Sequence, residues 1–141
     1  MLSYRQSGAS GGPFANMDGT DFGNTWILRI IGDFTDIEVK PDGVGADIYA
    51  TRFRSLTNYF YTSSNYGANW TKISIPAITG IVRCAIAVTP NNSNVVYLLA
   101  GRDVGAQPPG TPMPTTYKGV FKSTTSGQSF IQVCTTPNIL N

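Results

Sequence analysis

An eight-residue pattern occurs three times in this chain and constrains its fold more than any other feature. In each copy a small residue is followed by a short polar residue, a glycine and a closing aromatic residue at fixed offsets. The copies lie at residues 19–26, 63–70 and 123–130, so that they begin 44 and 60 residues apart. Repeats of about this length are typical of propellers and solenoids.

The segments between these boxes also repeat, and they have the composition of strands. Residues 36–43 align with residues 85–92 at a constant offset of 49, and each run alternates before it ends at a proline and a polar turn. Three further pairs of β-rich runs align: 47–51 with 95–99, 59–62 with 118–122, and 70–73 with 130–133. Four strands per unit, joined as a meander, is the layout of a propeller blade.

The repeats divide the chain into three parts. We expect residues 33–74 to form one blade, and residues 75–141 to form a second blade with a long loop at 102–116 and the start of a linker to a further blade. Residues 1–32 would be the end of a preceding blade with a disordered N-terminal part. The predicted fold class is therefore all-β, a partial β-propeller of about two and a half four-stranded antiparallel blades. A compact β-sandwich built from the same strands is the alternative.

Composition excludes several classes of function. The net charge is only +2 and the basic residues are scattered, which gives no stripe for nucleic acid. The chain has no histidine, the commonest general base and metal ligand, and it has no cofactor or metal-binding motif. No apolar run reaches the length of a membrane-spanning segment, so we expect no membrane insertion.

Two and a half blades cannot close a ring of four to eight blades. Each open side would expose an apolar face larger than a soluble monomer tolerates. We therefore expect the remaining blades to come from the same longer chain or from self-association.

The two cysteines, Cys84 and Cys134, are too few for a zinc site. They could pair in a secreted protein. The strand alignment places them at opposite sides of one blade, which favours two free, buried thiols.

The box residues suit a tight reversal between the third and fourth strands. Short polar side chains can accept hydrogen bonds from nearby backbone N–H groups, and glycine permits a positive φ. The aromatic residues would then pack in the layer between blades. The predicted structural residues are Asp21, Gly23, Trp26, Ser63, Asn65, Gly67, Trp70, Ser123, Gly127 and Phe130.

These boxes resemble the Asp-box, or BNR, repeats of sialidases, xyloglucanase-type glycoside hydrolases, sortilin-type receptor ectodomains and large secreted bacterial proteins. Gly19, Asn65 and Thr125 depart from the residues typical of these repeats. The resemblance implies a propeller in which the boxes are structural, and an extracellular or cell-surface location whose export signal is not within this segment.

Two unusual segments are expected at the face of the blades opposite the boxes, where propellers usually bind ligands. They contain the candidate ligand-binding residues Arg52, Arg54, Arg102 and Asp103. Loops as long as 102–116 without secondary structure are often functional. An ordinary solvated loop rim is the competing interpretation.

A glycosidase needs two carboxylates about 5–10 Å apart across a cleft. Asp36, on an inner strand, is the best single candidate. The competing interpretation is a structural role in which Asp36 pairs with a nearby arginine or amide. We assign no catalytic residue. The run Arg29-Ile-Ile-Gly32 does not match the arginine signature of sialidases, which excludes that activity.

The expected function is a non-catalytic scaffold that presents loops to a glycan or protein ligand. The main alternative is a fragment of a xyloglucanase-type glycoside hydrolase, and a third is an assembly factor inside the cell.

Overall fold

The computed structural model describes residues 2–4, 13–15, 27–44, 46–52, 60–76, 78, 81–102 and 116–136. All regular structure in these ranges is β-strand, and none of it is helix. The strands are β1 (Leu2–Tyr4), β2 (Pro13–Ala15), β3 (Ile27–Leu28), β4 (Phe34–Val39), β5 (Ile48–Arg52), β6 (Phe60–Ser63), β7 (Thr71–Ile73), β8 (Ile81–Val88), β9 (Val96–Arg102), β10 (Thr116–Ser123) and β11 (Ile131–Cys134). In these ranges no helix is long and apolar enough to cross a bilayer.

The strands form three antiparallel meanders in chain order. Strands β1, β2 and β3 make a three-stranded sheet. We call the four-stranded sheet β4-β5-β6-β7 the first sheet, and the four-stranded sheet β8-β9-β10-β11 the second sheet. Both four-stranded sheets are simple up-and-down meanders, which is the layout expected of blades.

The sequence repeat is reproduced in the strand pairing. Glu38 pairs with Tyr49 in the first sheet, and Ala87 pairs with Tyr97 in the second. In the next pair of strands, Ile48 faces Ser63 as Val96 faces Ser123. The first strand of each sheet also has a register shift near its start. Equivalent residues therefore occupy equivalent places, and the alignment made from the sequence is the alignment of the two sheets.

One apolar layer lies between the first and second sheets. Tyr49 and Phe60 of the first sheet meet Leu98 and Phe121 of the second, and all four are almost fully buried. Other members of this layer are Ile75, Ile78, Cys84, Ile86, Val96 and Ala100, with Ile73, Val88 and Phe130 at its edge. At about 25 cal/mol per Å2 of apolar surface, this burial is the main source of stability for the pair of sheets.

A second, smaller cluster covers the opposite face of the first sheet. Phe34 and Tyr61 form an edge-to-face pair with ring centroids 5.3 Å apart, and Ala50 is buried beside them. Trp70 packs against this cluster, whereas Phe130, its equivalent in the second sheet, packs against the layer between the sheets. Both closing aromatic residues thus lie on the same side of their own sheet. Trp26 lies outside the described residues, as does the rest of the first box.

The box at residues 123–130 is the closing turn of the second sheet, between β10 and β11. It packs against the aromatic rings of the first sheet. The ring of Phe60 stacks on Tyr49 and meets Phe130 edge to face, with centroids 5.8 and 5.0 Å apart. A Cβ atom built on Gly127 would lie 2.7 Å from the Phe60 ring. Gly127 also has a φ of +78°, a backbone conformation that side chains disfavour. Glycine is therefore required at this position for two reasons.

We expect Gly127→Ala to destabilise the protein more than Gly43→Ala. Gly43 has almost the same φ, +79°, but no atom would lie within 4 Å of its Cβ. Gly43→Ala therefore measures the backbone strain alone, about 1–2 kcal/mol. Gly127→Ala adds the overlap with Phe60, about 1–3 kcal/mol. Urea unfolding of the two variants measures the difference in the free energy of unfolding. Equal losses of stability would show that the turn at Gly127 does not pack against the Phe60 ring.

Candidate functional site

The box at residues 63–70 is closed by hydrogen bonds to two side chains. Ser63 Oγ accepts the N–H groups of Asn65 and Gly67, at 3.3 and 2.9 Å, and donates to Asn65 Oδ1 at 3.0 Å. Asn65 Oδ1 also accepts the N–H of Asn69 at 2.9 Å. The polar residues of this turn therefore bind its own backbone.

The box at residues 123–130 has the same bonds with different side chains. Ser123 Oγ accepts the N–H groups of Thr125 and Gly127, at 3.1 and 3.0 Å. Thr125 Oγ1 accepts the N–H of Ser129 at 3.1 Å, in the role that Asn65 has in the first sheet. A hydroxyl can thus replace an amide or carboxylate at this position because the backbone donor needs only one acceptor.

Both of these boxes are also tied to the turn between the first and second strands of their sheets. Tyr66 N–H donates to Ala46 O, and Ser126 N–H donates to Asn94 O, both at 2.9 Å. Tyr66 and Ser126 have φ values of 57° and 52°, so that each precedes its glycine in a left-handed conformation. The two kinds of turn therefore share one face of the sheets, as the strand directions predict. We call it the box face.

Two of the predicted ligand-binding arginines, Arg52 and Arg102, belong to the opposite face. Arg52 and Arg102 are the last residues of β5 and β9, and so end equivalent strands. A Cβ atom built on Gly32 would lie 2.7 Å from Arg52 Nε, so the guanidinium packs against the backbone before β4. Arg54 and Asp103 lie outside the described residues, together with most of the loop at 102–116. Arg52 and Arg102 thus end equivalent strands on the face opposite the boxes at 63–70 and 123–130, and we call this edge of the two sheets the arginine rim.

Asp36, the best carboxylate candidate, has structural partners on both oxygens. Its Oδ2 accepts the N–H of Ile86 from the second sheet at 2.6 Å, and its Oδ1 accepts the N–H of Ile37 at 3.0 Å. Thr51 completes the contact by donating to Cys84 O at 2.8 Å. Burial, and then the neighbouring Asp36 charge, raise the pKa of Glu38. Asp36 therefore fits the interpretation of a carboxylate that pairs with an amide.

A cleft of about 210 Å3 opens on the box face, between the two four-stranded sheets. One wall is a row of partnered residues across the first sheet, Tyr49, Thr62 and Thr71. The other wall is formed by Ser126 and Gln128 from the closing turn of the second sheet. The cleft is therefore made only when the two sheets pack together.

Charge in the cleft is nearly balanced. Asp47, which lines it, binds Lys40 Nζ at 3.0 Å, and Asp42 lies 3.4 Å from the same nitrogen. The hydrogen bond to Asp47 is the main cause that raises the pKa of Lys40. Burial raises the pKa of the Tyr49 hydroxyl, which lies beside Ser126 without a well-formed hydrogen bond among the described residues.

The sequence interpretation did not identify this cleft. Several of its residues belong to the boxes, which were assigned a structural role. Others are strand positions whose partners across the cleft, Ser126 and Gln128, lie more than 50 residues further along the chain. One signal was present in the sequence. The positions of Thr62 and Thr71 hold Lys122 and Ile131 in the aligned repeat, so their hydroxyl groups are not a property of the repeat itself.

Both cysteines are free among the described residues. Cys84 is buried, as expected, and burial raises the pKa of its thiol to about 12. Cys134 is only half-buried, because β11 is the outer edge strand of its sheet. No group of three or more metal-ligating side chains occurs in the described ranges.

Comparison with known proteins supports the fold. No protein-family model and no curated protein match this sequence. An ancestral GH74 enzyme superposes with a TM-score of 0.65 at 16% identity, over 97% of this chain and 18% of that enzyme. The GH74 enzyme of Niastella koreensis superposes with a TM-score of 0.54 at 16% identity, over 95% of this chain and 28% of that enzyme. This chain therefore corresponds to a small part of either enzyme.

At this level of identity the likeness is one of fold. The predicted fold class is confirmed: the chain is all-β, with two four-stranded antiparallel sheets that resemble fragments of GH74 propellers. The result favours a partial propeller over the compact sandwich.

We expect Asp36→Ala to destabilise the protein by about 1–3 kcal/mol, because the N–H of Ile86 loses its acceptor between the sheets. Asp36→Asn keeps one acceptor and should lose less. Asp33→Ala is the matched control, since Asp33 lies just before β4 and has no recorded hydrogen bond among the described residues. Chemical unfolding measures all three, and equal losses for Asp33→Ala and Asp36→Ala would contradict the assignment.

We expect the Cys84 thiol to resist modification in the native protein. In a Cys134→Ser variant, a thiol reagent should react at pH 8 only after denaturant is added. The folded pKa of about 12 exceeds the ordinary thiol pKa of 9.0, so the unfolded chain ionises first. Stability should therefore fall as the pH rises from about 9 to about 12, at up to about 1.4 kcal/mol per pH unit from this group. Cys84→Ala should have a shallower pH dependence, and equal slopes would contradict the prediction.

Proposed function

We propose that this chain is a non-catalytic part of an Asp-box β-propeller, which holds loops at the arginine rim for a glycan or protein ligand. The observation that carries the proposal is the bonding of Asp36. Both of its oxygens accept backbone N–H groups, one of them from the neighbouring sheet, so this inner-strand carboxylate serves the contact between blades. The bonds made by Ser63 and Ser123 in the two boxes support the same structural role for the boxes.

The proposal includes further blades, from a longer chain or from self-association. The outer face of the second sheet presents Tyr97, Leu99 and Val120, which are only half-buried, and Ile131, which is 68% exposed. Tyr97 occupies the position at which Tyr49 packs the first sheet against the second. A further blade would cover this face in the way that the second sheet covers the first. An extracellular or cell-surface location belongs to the same proposal.

Polysaccharide binding without hydrolysis is the expected behaviour of the 141-residue chain. Affinity gel electrophoresis on xyloglucan, mixed-linkage glucan and mannan measures retention, and a reducing-end assay on the same polymers measures cleavage. Arg54→Ala and Arg102→Ala should each reduce retention, because they remove donors that suit sugar hydroxyls. Lys72→Ala removes an exposed charge on β7 and serves as the control.

The possible results separate the hypotheses. The scaffold is supported if the polymer retains the chain, if both arginine variants reduce this retention, and if no new reducing ends are formed. Unchanged retention in both arginine variants overturns the arginine rim as the site. Absence of retention on every polymer overturns the glycan part of the proposal.

A fragment of a xyloglucanase-type glycoside hydrolase is the second candidate. The likeness to two GH74 enzymes favours it, although each match covers a small share of the enzyme. Its acids would have to come partly from outside the described residues, because Asp36 is held by backbone groups and Asp47 is paired with Lys40. Release of reducing ends from xyloglucan would support this candidate and overturn the scaffold.

A further inference from the structure

The cleft on the box face is distinct from the arginine rim. It lies at the opposite ends of the strands, where the closing turn of the second sheet overhangs β6 and β7 of the first. Both walls are fixed by hydrogen bonds: Gly67 N–H to Ser63 on one side and Gly127 N–H to Ser123 on the other. A cleft held in this way is largely preformed, as small-molecule sites usually are.

Several polar side chains in the cleft have no hydrogen bond within the described part of the chain. They are Thr62, Ser64, Asn69, Thr71 and Gln128. At the floor, Tyr49 is 1% exposed, and its hydroxyl lies beside Ser126 without a well-formed hydrogen bond among the described residues. Buried hydroxyls without partners are uncommon in native proteins. The cleft therefore collects donors and acceptors that the fold itself does not use.

The polar lining is not imposed by the repeat. In the second sheet, Lys122 takes the position of Thr62 and lies 5.7 Å from the centre of the Tyr97 ring, over the place where the cleft would be. Ile131 takes the position of Thr71 and is exposed. The same backbone thus carries a charged and an apolar side chain where the first sheet has two short hydroxyls, so packing alone does not explain the first sheet's choice.

The chemistry of the lining selects the class of ligand. Among the described residues, no lysine or arginine lines the cleft, which disfavours a phosphate or another anion. In the described part of the lining Asp47 is the only carboxylate, and it is paired with Lys40, whereas calcium takes six to eight oxygen ligands that include carboxylates. Hydroxyl and amide groups that both donate and accept match a neutral ligand with several hydroxyl groups.

We propose that this cleft binds one ring of a neutral carbohydrate, through the side chains of Thr62, Ser64, Asn69, Thr71 and Gln128. The site does not depend on the arginine rim. It adds a second contact for a sugar, on the face of the sheets that the boxes occupy.

The test is an NMR titration of the 15N-labelled chain with D-glucose, D-xylose and D-galactose, and separately with calcium chloride. At least one sugar should cause saturable shifts in the amide signals of residues 62–71 and 126–128. Asn69→Ala and Gln128→Ala should each weaken that binding about fivefold, the effect of one lost hydrogen bond. Both side chains are exposed and unbonded, so the variants should fold normally.

Asn91→Ala is the matched control, because Asn91 is an exposed amide on the turn before β9 and does not line the cleft. The proposal is overturned if no sugar causes saturable shifts, if the shifts lie elsewhere, or if Asn91→Ala weakens binding as much as Asn69→Ala. Calcium shifts at these residues without sugar shifts would assign the cleft to a cation instead. Arg54→Ala and Arg102→Ala should leave the sugar titration unchanged, so a failure of the arginine rim would not be mistaken for a failure of the cleft.

Discussion

The contact between the Phe60 ring and the closing turn of the second sheet determines the arrangement of much of the molecule. Phe60 stacks on Tyr49 from its own sheet and meets Phe130 edge to face from the other, while Gly127 leaves room for the ring. Because the ring touches both a side chain and a bare backbone position, the two sheets can be neither shifted nor separated without losing buried aromatic surface. The positions of the boxes, and with them the cleft, follow from this contact.

Two polar side chains at the boundary of the apolar layer, Asp36 and Thr51, bind backbone groups of β8 that would otherwise be buried without partners. The Ile86 N–H and the Cys84 carbonyl lie on the outer edge of β8, where no further strand of the described ranges pairs with them. Asp36 and Thr51 supply the missing partners from the first sheet. Without them, two backbone groups would be buried unpaired at a cost comparable to the loss of a large apolar contact. A carboxylate whose two oxygens accept backbone N–H groups is poorly suited to proton transfer.

The repeat in the sequence predicted the strand pairing within the two sheets because equivalent strands keep the same register, although their lengths differ. Asp36 and Ala85, which the sequence aligns, pair with Thr51 and Leu99, and these two partners are also aligned with each other. The half-buried state of Cys134 was not predicted, because the outer strand of a meander is defined only once the sheets are packed. The cleft was missed for a related reason. Thr62 and Gln128 are far apart in the chain, and their proximity depends on how one sheet meets the next.

Comparison of the two four-stranded sheets distinguishes the positions that build the fold from those that are free to differ. Ser63 and Ser123 make the same bonds, as do the backbone amides of Tyr66 and Ser126, so these positions are fixed by the geometry of the turn. The row that begins at Tyr49 and Tyr97 is not fixed in this way, since Thr62 in one sheet corresponds to Lys122 in the other. Specific recognition has to come from positions that the scaffold leaves unconstrained. Within the described residues, the first sheet places such positions around one cleft, whereas Lys122 covers the equivalent place in the second.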